Sequence, residues 1–165
     1  MDTIKECFMD MPSQEKVARA LLKLGIRVEE DRAYCGDIEQ NVSAIGRAMG
    51  VDRRVVTSTL QRISATPELG RMFSKASPIL SLAELAPEIG CSAIKIIPTD
   101  ATKSGILADV TAVLYRHGVS IRQITVDDGG TRELSTLTVV VDGQLPSETI
   151  PEIKGCDGVS TIIIL

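Results

Sequence analysis

The 165-residue sequence contains no tryptophan, two phenylalanines, two tyrosines and a single histidine. Its core must therefore be built mainly from aliphatic side chains. Its four cysteines are far apart and include no CxxC pair: Cys7, Cys35, Cys91 and Cys156. Zinc sites need clustered Cys and His ligands, and small disulfide scaffolds are dense in cysteine, so we expect neither. The sequence predicts four reduced, mostly buried thiols, no bound metal and no cofactor.

Long hydrophobic runs are also missing. No apolar run approaches the roughly 20 residues of a membrane helix, and the first residues, Met-Asp-Thr-Ile-Lys-Glu, do not resemble a signal peptide. We therefore expect a cytoplasmic protein that does not bind a membrane. The sequence has no Walker loop and no GxGxxG motif, and the single histidine, His117, has no Ser, Cys or Asp arrangement that would make it a catalytic base. We expect no enzymatic activity and no catalytic residues.

Composition indicates a folded chain with two parts. The sequence is 44% apolar and 24% charged, which is typical of globular proteins. Residues 1–80 carry 12 Lys and Arg against 11 Asp and Glu, whereas residues 81–165 carry 6 against 11. This asymmetry within a net charge of −4 suggests two modules with different partners.

The first module begins with an amphipathic helix at 12–24. Ser13 can cap this helix and Gly25 can end it. Its predicted apolar stripe is Val17, Ala20, Leu21 and Leu24. Residues 26–36 form two β-like pieces around an acidic turn, which favours a small hairpin.

Two further helices are predicted between residues 42 and 63. The first directs Ile45, Ala48 and Met49 inward. Gly50 supplies a tight turn, and Asp52 is a good N-cap for the second helix. The apolar side of that second helix holds Val55, Val56, Leu60 and Ile63, and its other face carries Arg53, Arg54, Thr57, Ser58, Gln61 and Arg62.

This pair of helices resembles the helix-turn-helix DNA-binding motif. Gly46 stands where the motif has a very small residue, Gly50 takes the turn glycine position, and Val56 takes the buried branched position. The resemblance implies that the six polar residues of the second helix bind double-stranded DNA, since Arg can pair with guanine, Gln with adenine, and hydroxyls with phosphate. An ordinary helical hairpin with a solvated outer face is the alternative. Four arginines against one acid in residues 41–66 favour DNA binding.

The helical module is predicted to occupy residues 1–78. A helix at 65–75, with Thr66 as N-cap and Pro67 at its first position, would complete it. Residues 79–91 are interpreted as a linker helix that Ser81 caps and Gly90 ends. The second module then covers residues 92–165.

The second module alternates strands and helices in the order βαββαβ. Its strands are predicted at 93–98, 119–126, 133–141 and 159–165, and its helices at 106–117 and 147–154. A turn at Asp127-Asp-Gly-Gly130 joins the second and third strands. This order is typical of the ferredoxin-like fold, and residues 92–165 resemble the ACT domain, a small regulatory module that often binds amino acids. The expected fold class is therefore α+β, a helical helix-turn-helix domain followed by a ferredoxin-like βαββαβ ACT domain.

The resemblance implies an amino-acid site at the turn before the first helix of this module. Free N–H groups of Gly105 and Ile106 could hold a carboxylate, with help from the hydroxyls of Thr102 and Ser104. Asp100 could bind the ligand ammonium. Ser120 or Gln123 stands where the family usually has an amide at the start of the second strand. The alternative is that Gly105 only makes a turn and that the hydroxyls and Asp100 only cap it.

The two modules together resemble regulators of amino-acid metabolism that join a helix-turn-helix to an ACT domain. The first hypothesis is a transcriptional regulator that binds DNA and responds to an amino acid. The second is a regulatory or adaptor subunit of an amino-acid metabolic enzyme that does not bind DNA. Apolar edge strands at 119–126 and 159–165 predict a homodimer or a higher homo-oligomer.

Overall fold

The computed structural model describes residues 3–127 and 135–165. The chain divides into two compact units, the first ending at Ile79 and the second spanning Leu80–Leu165. None of the helices in the described ranges is both long and apolar enough to cross a membrane.

The first unit is helical with a small antiparallel sheet. Its helices are α1 (Thr3–Cys7), α2 (Pro12–Lys23), α3 (Val42–Met49), α4 (Arg53–Ala65) and α5 (Pro67–Phe73). Its strands are β1 (Arg27–Glu29), β2 (Arg32–Cys35) and β3 (Ile38–Gln40), paired in that order. The core is aliphatic around two fully buried rings, Phe8 and Phe73, with Leu21, Leu60 and Ile63 also fully buried. The predicted hairpin is present, and β3 extends it by a strand that the sequence reading missed.

Three local predictions in this unit are wrong. Ser13 does not cap α2, because Pro12 is already its first helical residue and the cap position is Met11. Leu24 follows the last helical residue of α2 and is 59% exposed rather than buried. Ala48 is exposed because the inner line of α3 runs through Ile45, Gly46 and Met49, and position 48 lies off that line.

The second unit has the predicted βαββαβ order. Its elements are β4 (Cys91–Pro98), α6 (Ile106–Arg116), β5 (Ile121–Asp127), β6 (Thr136–Asp142), α7 (Thr149–Lys154) and β7 (Val159–Ile164). The four strands form one antiparallel sheet in the order β5-β6-β4-β7, so β5 and β7 are its edges. The protein is therefore a mixed α+β chain.

Both helices of this unit cover the same face of the sheet. Ile94 and Ile96 of β4 and Val139 of β6 belong to one cluster with Val110 of α6 and Ile153 of α7. The opposite face is covered in part by the segment that precedes β4, where Ala83 and Ala86 pack with Ala93 and Val140. Because successive side chains of a strand alternate between faces, the central strands β4 and β6 supply both clusters.

The segment that precedes β4 differs from the predicted linker helix at 79–91. Only Pro87–Ile89 are helical there, as one turn of 3₁₀ helix that ends at Gly90 with φ of +70°. Pro87 has no N–H to donate, which prevents a longer α-helix through this position.

Helix α7 begins at Thr149 rather than at Ser147. The predicted turn after β5 lies, beyond Asp127, outside the described residues.

Candidate functional site

Helices α3 and α4 are joined by the three residues Gly50, Val51 and Asp52. Asn41 caps α3 by accepting hydrogen bonds from the N–H groups of Ser43 and Ala44, at 2.9 and 3.2 Å. Gly50 adopts the left-handed conformation with φ of +66°, which favours glycine. Asp52 caps α4, since its Oδ1 accepts from the N–H of Arg54 at 2.8 Å. These local bonds fix where the two helices end and begin.

Helix α4 presents one buried side and one polar, exposed side. Val56, Leu60 and Ile63 are fully buried, as predicted. Thr59 is buried as well, and its hydroxyl donates to the carbonyl of Val55 at 2.7 Å. All six residues of the predicted DNA-binding face are exposed: Arg53, Arg54, Thr57, Ser58, Gln61 and Arg62.

The three arginines on this face differ in their contacts. Arg62 donates to the carbonyl of Cys7 at 3.3 Å, and its guanidinium lies 6.0 Å from the centre of the Phe8 ring. The guanidinium groups of Arg53 and Arg54 form neither ion pairs nor hydrogen bonds with the described residues, although the backbone of each residue accepts or donates a bond at the start of α4. Their guanidinium groups are therefore available to an outside partner, whereas that of Arg62 is held against its own unit.

Two shallow grooves flank the exposed face of α4, and Ser58 lines both. One lies next to the start of α3 and is lined by Val42, Arg53, Arg54, Thr57 and Ser58. The other is lined by Gln14, Ser58, Gln61, Arg62, Ala65 and Thr66. In the second groove the Oε1 atom of Gln14 is buried and accepts no hydrogen bond from the described residues. Gln14 was not predicted from the sequence, because it reaches this groove from another helix.

A cavity of about 170 Å³ lies at the start of α6 in the second unit. Its walls come from the end of β4, the first turn of α6, the end of β5 and the start of β6: Pro98, Gly105, Ile106, Leu107, Val126, Thr136 and Leu137. Gly105 is the N-cap of α6, with φ of +98°, and no side chain caps the helix. Its carbonyl accepts the N–H of Asp109, so the N–H groups of the three residues between them have no partner within the helix.

Asp100 and Thr102, two of the predicted ligand-binding residues, bond to each other. The carboxylate of Asp100 accepts from the N–H of Thr102 at 2.8 Å and from its hydroxyl at 2.7 Å. The two bonds from Thr102 hold the pKa of Asp100 below its ordinary value. Neither residue lines the cavity, and Ser104 is exposed without lining it. In this structure Asp100 and Thr102 shape the loop between β4 and α6.

Lys103 lines the cavity but was not predicted as a site residue. Its ammonium lies 2.6 Å from the carboxylate of Asp157 and holds the pKa of that carboxyl below its ordinary value. The next residue, Gly158, accepts a hydrogen bond at its carbonyl from the N–H of Thr99, at 2.8 Å. The loop before α6 is thus attached on both sides to the turn before β7.

Gln123 and Ser120 lie outside the cavity lining. The amide of Gln123 accepts from the N–H of Leu82 and donates to the carbonyl of Leu80, both at 2.8 Å. Ser120 is exposed, and its carbonyl accepts from the N–H of Asp142. Of the seven predicted ligand-binding residues, the structure brings together only Gly105 and Ile106 at the cavity.

His117 ends α6 and contacts the neighbouring helix. Its Nε2 lies 2.8 Å from Glu152 of α7, and Arg116 donates to the other oxygen of the same carboxylate at 3.1 Å. The bonds from His117 and Arg116 lower the pKa of Glu152 from its ordinary value.

Among the residues that the structure describes, no group of three His, Cys, Asp or Glu side chains could hold a metal ion, and all four cysteines are free thiols.

Solved structures that are similar to the chain include two with a weak likeness. The acetolactate synthase small subunit from Thermotoga maritima is 24% identical with a TM-score of 0.35, over 45% of this chain and 46% of that one. The match thus spans about half of that subunit. The structure of PH0061 is 14% identical with a TM-score of 0.28, over 90% of this chain and 88% of that one. Among curated proteins, no sequence matches the chain.

Comparison with protein families gives a specific result for the second unit. Residues 101–158 match the ACT domain family. The matched range includes Gly105 at the start of α6. It ends at Gly158, whose carbonyl accepts a hydrogen bond from the N–H of Thr99 in the loop before α6. The second unit of this chain contains an ACT domain at residues 101–158.

Proposed function

We propose that the chain is a ligand-responsive transcriptional regulator. In this proposal α3, the turn at residues 50–52 and α4 form a helix-turn-helix that binds double-stranded DNA, and the ACT domain senses an amino acid. The role is regulatory and not enzymatic. The observation that carries the DNA-binding part is the pair Arg53 and Arg54, which are exposed at the start of α4 without a partner among the described residues.

The chemistry of the α4 face supports contact with a nucleic acid. Guanidinium groups bind phosphate oxygens and the edges of guanine, and hydroxyl and amide groups bind phosphates and other base edges. Thr57 and Ser58 lie beside the two arginines in the same groove, and Gln61 continues the face one turn later. A recognition helix uses its N-terminal half for base contacts, and that is the half that carries Arg53 and Arg54.

The ligand-sensing part is supported by the ACT domain match and by the cavity at Gly105. The unpaired N–H groups at the start of α6 suit a carboxylate, because they point outward and carry a partial positive charge. Val126, Leu107 and Leu137 supply apolar surface for an aliphatic part of the ligand. A coupling free energy of about 1–3 kcal/mol between ligand and DNA binding would be enough for regulation.

Two measurements test the proposal. A thermal-shift screen with the twenty amino acids should find at least one that raises the melting temperature, because a ligand that binds only the folded state stabilises it. Fluorescence anisotropy with a random-sequence duplex should show binding that weakens steeply with added salt, because phosphate contacts release counterions. If no amino acid shifts the melting temperature, the sensor assignment fails, and if no duplex is bound at low salt, the DNA-binding assignment fails.

A second candidate function is a regulatory or adaptor subunit that docks on a metabolic enzyme. One observation favours it: the small sheet of the first unit and its turns expose a group of acidic side chains, Glu29, Glu30, Asp31, Asp37 and Glu39. Arg27 and Arg32 pair with three of these acids, Glu29, Asp37 and Glu39, but the five acids outnumber the two arginines. The remaining negative charge disfavours DNA and suits a basic protein surface. The anisotropy experiment separates the two functions, since the adaptor would show no salt-dependent binding to duplex DNA.

A further inference from the structure

The second of the two grooves beside α4, the α2–α4 groove, is lined by hydrogen-bond donors. Its polar side chains are Gln14, Ser58, Gln61, Arg62 and Thr66. None of the described residues that line it is acidic. The acid that follows Gln14 in the sequence, Glu15, is paired with Arg19 at 2.8 Å and lines a different groove. A groove with one guanidinium and no carboxylate suits a group that is negatively charged and only accepts hydrogen bonds.

The side chain of Gln14 has no hydrogen-bond partner among the described residues. Its Oε1 atom is buried and accepts no bond from them, and its Nε2 atom donates none to them. A buried acceptor without a donor lowers the stability of the free protein. Contacts within the first unit therefore do not explain the position of this amide. Its two N–H donors remain available to a molecule in the groove.

The two grooves match the surroundings of a helix that lies in the major groove of DNA. Ser58 lines both, so they lie on either side of the exposed face of α4. A helix in the major groove has a phosphate backbone on each side, and the first helix of a helix-turn-helix crosses the backbone. Arg53 and Arg54 line one groove, and Gln14 lines the other from α2. The α2–α4 groove thus lies on the side of α4 where the second backbone would run.

We propose that the α2–α4 groove binds the phosphate backbone of double-stranded DNA and that Gln14 donates a hydrogen bond to a phosphate oxygen. This inference rests on the proposed function and adds α2 to the DNA-binding surface. Glutamine is one of the side chains that bind phosphates, and such contacts fix the position of a protein on the duplex without reading its sequence. Because Gln14 is neutral, its contact adds affinity without adding to the salt dependence.

Anisotropy titrations with a random-sequence duplex at several salt concentrations test the role of Gln14. Gln14→Met removes the donors from a side chain of similar length, so the affinity should fall by about fivefold while the slope of log affinity against log salt stays unchanged. Gln14→Lys places a cation next to the phosphate, so it should tighten binding at low salt and steepen that slope by about 1. In urea denaturation Gln14→Met should be at least as stable as the parent, because the unpartnered acceptor is gone.

Gln144→Met and Gln144→Lys are the matched controls, since Gln144 is exposed in the second unit and lines neither groove. Both should bind the duplex much as the parent does. If the parent binds the duplex and the Gln14 variants behave like the Gln144 variants, the inference is wrong and the proposed function stands. A parent that binds no duplex would overturn both. An unchanged salt slope in a folded Gln14→Lys variant would give Gln14 a packing role and also overturn the inference.

Discussion

Gly46 and Val51 approach so closely that a Cβ atom on Gly46 would lie 2.9 Å from the carbonyl oxygen of Val51. Gly46 is buried in α3, and Val51 lies in the turn that leads to α4. The N–H of Val51 also donates to the carbonyl of Gly46 at 3.0 Å. The absence of a side chain at position 46 thus lets the turn fold back against α3.

Gly46→Ala should therefore destabilise the first unit. Alanine normally favours a helix over glycine by about 1 kcal/mol, but here the backbone of the turn must shift to admit the methyl group. We expect a net loss of about 1–3 kcal/mol in the free energy of unfolding, measured by urea denaturation. Gly70→Ala in α5 is the matched control, because its nearest Cβ contact would be 3.6 Å away. The control should be neutral or slightly stabilising, and equal losses in both variants would contradict the close approach.

Arg53 and Arg54 should contribute to DNA affinity but not to the free energy of unfolding. The double variant Arg53→Ala with Arg54→Ala should change the free energy of unfolding by less than about 0.5 kcal/mol, because both side chains are exposed and unpaired. In anisotropy titrations it should weaken duplex binding and reduce the slope of log affinity against log salt by about 2. Arg71→Ala in the last turn of α5, combined with Lys75→Ala just after that helix, removes the same charge and should change binding much less.

Arg62→Ala should show the opposite pattern to Arg53→Ala. It loses the bond to the Cys7 carbonyl and the contact with the Phe8 ring, so we expect about 1 kcal/mol of destabilisation in urea denaturation. A duplex affinity that falls more for Arg62→Ala than for Arg53→Ala would instead place Arg62 at the centre of the DNA contact.

Gly105→Ala should abolish or strongly weaken the amino-acid-induced thermal shift. The left-handed φ of +98° is unfavourable for alanine, and the start of α6 must adjust next to the cavity. Gly118→Ala imposes a similar strain at φ of +66° but lies outside the cavity lining. Both variants should lose about 1 kcal/mol of stability, and only Gly105→Ala should lose ligand binding by calorimetry. An unchanged binding constant in Gly105→Ala would remove Gly105 from the site.

The contact of Glu152 with His117 and Arg116 should make stability depend on pH in the acid range. The pKa of Glu152 is lowered in the folded state. The ionised carboxylate therefore contributes fully to the free energy of unfolding at a pH above its ordinary pKa of 4.5, and this contribution is lost as the pH falls through the folded pKa. Glu152→Gln should lower the melting temperature near neutral pH and converge with the parent in acid. Glu88→Gln should follow the parent throughout. A difference between Glu152→Gln and the parent that persists in strong acid would contradict this prediction.

Much of the local structure follows from the sequence alone. The N-cap at Asp52, the turn at Gly50 and the βαββαβ order were all predicted, because caps and turns depend on bonds between residues a few positions apart. The sequence also predicted a turn at Gly105, whose φ is +98°. For this protein, the sequence by itself therefore determined the type and order of most helices and strands, and which face of α4 is polar.

Only the tertiary structure decided which polar groups remain free. Gln123 bonds to the backbone of Leu80 and Leu82, about forty positions away, and Arg62 reaches back to Cys7. The cavity at Gly105 takes its remaining walls from β5 and β6, whose neighbours are set by strand register and not by nearby sequence. A side chain's partner across the fold depends on how distant segments pack, so a sequence pattern can indicate a polar face but not which of its groups are already occupied.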